Sequence, residues 1–187
     1  FTSLLSISEL MAGSYADMDD EDKAEGVKRI HNSATRIYDL LENLLTWSRA
    51  QSGRINYNPT SFSLNEIVNE NISLLHHSAV KKNIKLEAET IAALSAYGDR
   101  DMINTVIRNL LGNAIKFSPS DKSIKVKIDD DMGFWKVSII DEGVGMSEEN
   151  QKKIFHIDTK FKTEGTMGEK GTGLGLLICK EFVLKNG

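Results

Sequence analysis

Three clusters in this chain have the residue types and spacing to do chemistry. The first is Asp141, Gly143 and Gly145, which follow an apolar run at 135–140. A carboxylate at the end of a buried strand is costly unless something satisfies it. Glycines just after it let the backbone turn sharply and let a ligand approach bare main chain. The combination suits a site that accepts a hydrogen bond from a flat ligand, though strand, Asp and Gly in succession also write an ordinary turn. The second cluster is Asn109, Asn113 and Lys116, at i, i+4 and i+7 on one helical face, with Phe117 at its border. Asparagine is a poor interior helix residue, so two on one line ask for a reason. An amide oxygen can coordinate Mg²⁺, and lysine neutralises phosphate as a point charge. The face therefore reads as one for phosphate and metal, the alternative being a solvated polar face. The third cluster is Gly171, Thr172, Gly173, Leu174 and Gly175, opening the last helix. N–H groups at a helix start form an anion site. The spacing is not that of a dinucleotide fold, and no Gly-Lys-Ser/Thr follows to make a Walker A loop. Lys160, Lys162 and Lys170 flank the preceding loop and could close on phosphates, with plain solvation the simpler reading for Lys162.

The elements that must hold these clusters follow from periodicity. Residues 1–16 carry Leu4, Leu5, Ile7, Leu10 and Met11 at helical spacing, and 17–22 form an acidic break. A long helix to residue 52 then shows Val27, Ile30, Ala34, Ile37, Leu41, Leu44 and Ser48 in a heptad seam. Such a hairpin, paired with a second copy, makes a four-helix bundle. Residues 53–60 read as a linker, with Gly53 stopping the helix and Pro59 in an extended run. Ser63 and Glu66 form a capping box for a helix to about residue 82, with Ile67, Ile72, Leu75 and Ala79 inward. Residues 84–88 alternate as a strand, 97–99 turn, and Asp99 caps the helix that bears Asn109. That helix should meet the sheet through Ile103, Ile107, Leu110 and Ala114. Residues 122–128 and 134–140 alternate as a hairpin across 129–133. A short helix at 147–155, a loop at 158–170 rich in Gly, Thr and Lys, and a helix at 174–185 complete the chain. The expected class is α+β. It comprises an antiparallel hairpin at 1–52, a linker at 53–60 and an α/β sandwich at 61–187.

The totals exclude several classes. The 187 residues suffice for one or two domains, and 40% hydrophobic with 27% charged residues is ordinary for a globular protein. A net charge of -4 gives no reason to expect nucleic acid as a partner. The single Cys179 forbids an internal disulfide and fits a reducing compartment. No run approaches the roughly 20 apolar residues of a membrane span. The chain starts without Met inside a helical pattern and reads as a piece of something longer.

Taken together, the motifs resemble those of sensor histidine kinases. Residues 109–117 look like their N box and 141–145 like their first glycine box. Phe155 and the loop after it resemble the F box, and 171–175 the second glycine box. The resemblance covers nearly the whole chain, since the hairpin looks like the dimerisation and phosphotransfer domain. It implies an ATP-binding sandwich shared with gyrase-type ATPases. In that family the position of Asp141 accepts a hydrogen bond from the adenine amine and that of Asn113 coordinates Mg²⁺. Asn109 and Lys116 approach the phosphates, Phe117 packs by the nucleoside, and 158–172 form the ATP lid. Lys170 and the Gly171–Gly175 motif, with Gly143 and Gly145, complete the implied nucleotide contacts.

Three departures from the family pattern stand out. The phosphoacceptor histidine box, which precedes residues like 1–5 in the family, is absent. The family also continues beyond the last helix with strands that complete the sheet, whereas this chain ends at Gly187. The wording of residues 155–161 differs from the commonest F box and leaves the role of Phe161 open. The remaining histidines are poor substitutes for the acceptor. His31 lies beside the heptad stripe, His76 and His77 sit half-exposed on the first helix of the sandwich, and His156 has no metal partners in sight. Cys179 reads as a small core residue.

The resemblance implies a homodimeric, cytoplasmic kinase core that uses ATP and Mg²⁺. It would phosphorylate a histidine and pass the group to a response regulator receiver domain, with any membrane link lying in parts outside this chain. The alternatives are a non-catalytic dimeric module that binds ATP, and a gyrase-like ATPase, which the heptad hairpin disfavours.

Overall fold

The structure is a computed structural model that describes residues 2–53, 55–89, 95–155, 164–169 and 171–187. The chain divides into two compact units, Phe1–Ser48 and Arg49–Gly187.

The first unit is a helical hairpin of α1 (Thr2–Ser14) and α2 (Asp20–Gln51). Asp19 starts α2, its Oδ1 accepting from Asp22 N at 2.7 Å. The acidic first turn suits the positive end of the helix dipole. Met11 is buried and lies directly over Gly26, which has no side chain to obstruct it. At 1.5 Å per residue α1 is about 20 Å long and α2 about 48 Å, so α2 outruns its partner. The expected seam accordingly divides. Ile30 and Ile37 are half-buried, whereas Val27, Ala34, Leu41, Leu44 and Ser48 are exposed. Leu40 and Leu45 beside them are exposed as well.

The second unit packs helices on two small sheets. Its elements are β1 (Thr60–Ser63), α3 (Leu64–Val80), β2 (Lys85–Glu89), β3 (Ser95–Gly98) and α4 (Arg100–Phe117), then β4 (Ser123–Asp131), β5 (Phe134–Asp141), α5 (Glu148–Lys153) and α6 (Gly175–Lys185). β1 pairs antiparallel with β3, Phe62 opposite Ala96. The other sheet runs β2-β4-β5, with β2 parallel and β5 antiparallel to β4. Trp135 of β5 ties the two sheets by donating from Nε1 to Ser95 O at 2.9 Å. The core lies between β4, α3 and α4, where Ile67, Val68, Ile107, Leu111, Ile124 and Val126 are almost fully enclosed. Among the described residues, no helix is long and apolar enough to cross a membrane.

Local capping matches the sequence. Ser63 Oγ accepts from Glu66 N, and Asp99 Oδ1 accepts from both Asp101 N and Met102 N. Several expectations need correction. Residues 97–98 are strand rather than turn, and Thr60, expected as the end of the linker, opens a strand over 60–63, because β1 and β3 satisfy each other's main chain. The β4–β5 turn is only Met132 and Gly133, both at positive φ, a two-residue turn matched to strand twist, so the acidic residues before it stay in β4. α4 buries Met102, Val106, Ile107, Leu111, Ala114 and Ile115, whereas Ile103 and Leu110 are only half-buried. Among the described residues β5 is the last strand of its sheet, and the run 135–140 is mostly half-exposed rather than buried. His76 and His77 are exposed.

Candidate functional site

α4 carries the polar line across the unit. Asn109 is half-buried, and its Nδ2 donates to Thr105 O one turn back at 3.0 Å. That bond fixes the amide so that Oδ1 faces the start of α6, where a Cβ on Gly175 would stand 3.0 Å from it. Two turns on, the Lys116 ammonium lies 4.6 Å from the Phe117 ring centroid and 2.7 Å from where a Cβ on Gly171 would be. The α4 line and the glycine motif at 171–175 are thus brought together, with glycines where the two surfaces touch. Gly173 adopts φ +78, which favours glycine. Leu174 at the α6 N-cap offers no side-chain acceptor, so the first N–H groups of that helix depend on other partners. Thr172 Oγ1 accepts from Leu174 N at 3.3 Å. Asn113, between the other two polar residues, is half-buried and has no side-chain hydrogen bond among the described residues.

The first glycine motif docks on the C-terminal end of the same helix, at Phe117. Val144 N donates to Phe117 O at 3.2 Å. Gly143 lies so close that a Cβ there would fall 2.9 Å from that oxygen. Asp141 is exposed, not buried as its strand position suggested, and among the described residues β5 pairs only with β4. Its Oδ1 accepts from Gly143 N at 2.8 Å, so the carboxylate is satisfied by its own turn while remaining open to a ligand. Gly145 turns at φ +66 with no atom near its missing Cβ.

Electrostatics favour an anion beside Lys116. Burial holds its ammonium below the ordinary lysine range, Lys82 adds to that effect, and Glu169 opposes it. The negative charge of an incoming phosphate would act against both by favouring the charged ammonium. Lys82 was not legible as a site residue, and Thr166 and Glu169 were expected only as unnamed members of the lid at 158–172. Lys82 is 3% exposed, and its ammonium pairs with Glu169 Oε1 at 2.6 Å and donates to Thr166 Oγ1 at 2.7 Å. Its sequence signal, one of two adjacent lysines after a helix, is indistinguishable from a solvated turn.

The remaining expectations distribute as follows. Phe155 is 42% exposed, with Lys180 Nζ 5.9 Å from its ring centroid. Cys179 is buried, as expected of a core thiol. His31 is exposed on α2. His156, Lys160, Phe161, Lys162 and Lys170 lie outside the described residues, as does the first part of the expected lid at 158–172. Among the described residues, no group of three or more His, Cys, Asp or Glu could hold a metal.

Comparison with known proteins bears on this arrangement. Residues 98–187 match the family described as histidine kinase-, DNA gyrase B-, and HSP90-like ATPase. The chain is 32% identical over 176 residues to the sensor protein KdpD of Clostridium acetobutylicum, covering 91% of this chain and 19% of that protein. It is 29% identical over 161 residues to hybrid signal transduction histidine kinase C of Dictyostelium discoideum, covering 82% of this chain and 13% of that one. It therefore spans less than a fifth of the length of either relative. Among solved structures, the catalytic domain of histidine kinase ThkA is 32% identical with a TM-score of 0.58, covering 71% of this chain and 82% of that one. ThkA in complex with the response regulator protein TrrA is 26% identical with a TM-score of 0.67, covering 87% of this chain and 48% of that one. The Acinetobacter baumannii histidine kinase AdeS, 19% identical, shares the fold at a TM-score of 0.71 over 98% of this chain and 85% of that one. The polar line of α4, the two glycine turns it touches and these likenesses agree: this chain belongs to the sensor histidine kinases of two-component signalling and carries their ATP-binding domain.

Proposed function

We propose that ATP binds along the polar face of α4. Asn109 and Lys116 take the phosphates with the N–H groups of Gly171–Gly175 and the neighbouring Lys170, Asp141 accepts from the adenine amine, and Phe117 packs by the nucleoside. Gly143 and Gly145 keep the main chain bare where the base enters. The observation that carries this reading is the approach of Asn109 to Gly175 and of Lys116 to Gly171. It sets an amide, an ammonium and an uncapped helix start around one gap, which is what an oligophosphate requires.

The donor set also fits Mg²⁺. Asn113 offers one hard oxygen beside the phosphate residues, and Mg²⁺ keeps several waters while taking few protein ligands. Bound there with the phosphates, the ion would neutralise charge that develops on phosphoryl transfer. The chain's own contribution is positioning and charge. Asn109 and Lys116 would hold the terminal phosphate in line, and Lys116 would steady the negative charge of the transferring oxygens.

The phosphoryl group would pass to a histidine of the dimerisation hairpin and then to an aspartate of a response regulator. The likeness to the ThkA complex supports that partner class. His31 is an unpromising acceptor, since Arg29, Ile30, Asn32 and Ser33 around it in sequence include no acid to act as a base. The exposed leucines of α2 support a homodimer built through the hairpin. The need for ATP puts the reaction in the cytoplasm. The test is calorimetry of ATP binding to the wild type and Asn113→Ala, with and without magnesium. The wild type should bind ATP more tightly with the metal, and the variant should lose that gain. A variant that keeps the full metal dependence would make Asn113 a structural residue.

A further inference from the structure

We propose that Lys82 is a positioning residue for the phosphate end of this site, tying the last turn of α4, which carries Lys116, to the turn at 165–169. The inference rests on the reading of Lys116 as a phosphate ligand. Lysine is almost never fully buried unless paired, yet Lys82, in the turn after α3, is 3% exposed. Its ammonium donates to Ile115 O and Lys116 O, both at 2.9 Å, and reaches Ser118 O at 3.5 Å. The first two belong to the final turn of α4, whose carbonyls have no intrahelical partner and whose dipole favours a cation. On its other side the ammonium meets Thr166 Oγ1 at 2.7 Å and Glu169 Oε1 at 2.6 Å.

The turn it holds is shaped around α4. Thr166 N donates to Lys116 O at 3.0 Å and Gly165 N to Glu169 O at 2.8 Å. Thr166 Oγ1 donates to Ser118 O at 2.8 Å, and Met167 N to Glu169 Oε2 at 2.8 Å. Gly165 lies flat on Lys116, where a Cβ would fall 2.6 Å from its Cγ and 2.8 Å from its carbonyl oxygen. The stem of Lys116 is thereby confined between its own helix and this turn. Glu169 also faces Lys116 and favours its charged form. One carboxylate thus bears on both ammonium groups, although only that of Lys116 lies against Gly171.

A purely structural lysine would affect stability and every ligand alike, whereas a positioning residue should affect phosphate recognition selectively. The experiment measures ATP affinity by calorimetry and adenosine affinity by NMR titration, both with magnesium, alongside thermal unfolding without ligand. Lys82→Met removes the tie. Glu169→Gln, at the more exposed end, leaves the bonds to α4 intact and serves if Lys82→Met does not fold. Both variants should weaken ATP roughly ten- to a hundredfold, the scale of a small misplacement of a positioned group, with adenosine unchanged and partial recovery in Lys82→Arg. In a Lys116→Ala background Glu169→Gln should add little, because coupled residues are not additive. Equal losses for ATP and adenosine, or no loss for either, would overturn the inference while leaving the nucleotide site standing. A wild type that binds no ATP would instead remove the site on which it rests.

Discussion

Oδ1 of Asn109 and Gly175 at the start of α6 are in such close approach that a Cβ on the glycine would stand 3.0 Å from the oxygen. Asn109 cannot simply swing aside, since its Nδ2 is bound to Thr105 O. Gly175→Ala should therefore displace the amide while raising the helical preference of α6 by up to about 1 kcal/mol. The expected outcome is an unchanged or higher melting temperature with ATP affinity down roughly tenfold, the worth of one hydrogen bond to a charged group. Thermal unfolding and calorimetry on one preparation check both. Undiminished affinity would separate Asn109 from the phosphates.

The two glycines of the first motif should respond differently to alanine. At Gly143 a Cβ would fall 2.5 Å from Asp141 Oδ1 and 2.9 Å from Phe117 O, so main chain must shift. Gly143→Ala should cost about 1–3 kcal/mol of stability, typical of overpacking, and weaken ATP. Gly145 has open space around it and φ +66. Gly145→Ala should cost only the left-handed penalty, roughly 1–2 kcal/mol, with the adenine contact intact. Denaturant titration and ATP binding distinguish the pair.

Asp141 should set the choice of base. Its Oδ1 is held by Gly143 N, and Oδ2 has no hydrogen bond among the described residues. An adenine amine can donate to it, whereas guanine presents a carbonyl there. Asp141→Ala should lose about 1–3 kcal/mol toward ATP, roughly ten- to a hundredfold, and almost nothing toward GTP. Equal ATP affinity in the two proteins would put the adenine elsewhere.

Dimerisation can be tested away from the nucleotide. Leu41 and Leu44 are exposed on α2, so aspartate there leaves the hairpin intact but would bury an unpaired charge in a bundle. Ile37 is half-buried, and Ile37→Asp would also strike the hairpin itself. Sedimentation should show a dimeric wild type and a monomeric Leu44→Asp that retains ATP binding. A monomeric wild type would refute the bundle.

Cys179 gives a pH signature. Burial pushes its thiol up from 9.0 to about 11. Between those values the unfolded chain has released a proton that the folded chain keeps, so stability falls as pH rises through the window. A shift of two units corresponds to at most about 3 kcal/mol. The stability difference between the wild type and Cys179→Ala should shrink from pH 9 to 11. A constant difference would mean that the thiol titrates normally.

Much of the site was legible because its signals are local. The line Asn109, Asn113 and Lys116 follows from helical spacing alone, and the caps at Ser63 and Asp99 from side chains that bind main chain two or three residues on. The glycines at 171–175 mark a helix start wherever that helix packs. Other features depend on partners distant in the chain. β1 and β3 were missed because each is four residues long and becomes a strand only against the other, Phe62 opposite Ala96. The run before Asp141 suggested burial, but whether a strand is central or at an edge is decided by the pairing order β2-β4-β5. Lys82 shows the limit most sharply. Its neighbours in sequence are those of a solvated turn, and it becomes a buried tie only when α3, the end of α4 and Glu169 converge on one ammonium. Spacing along a helix is a property of the backbone's own repeat, whereas burial and pairing are properties of the surfaces that folding brings together.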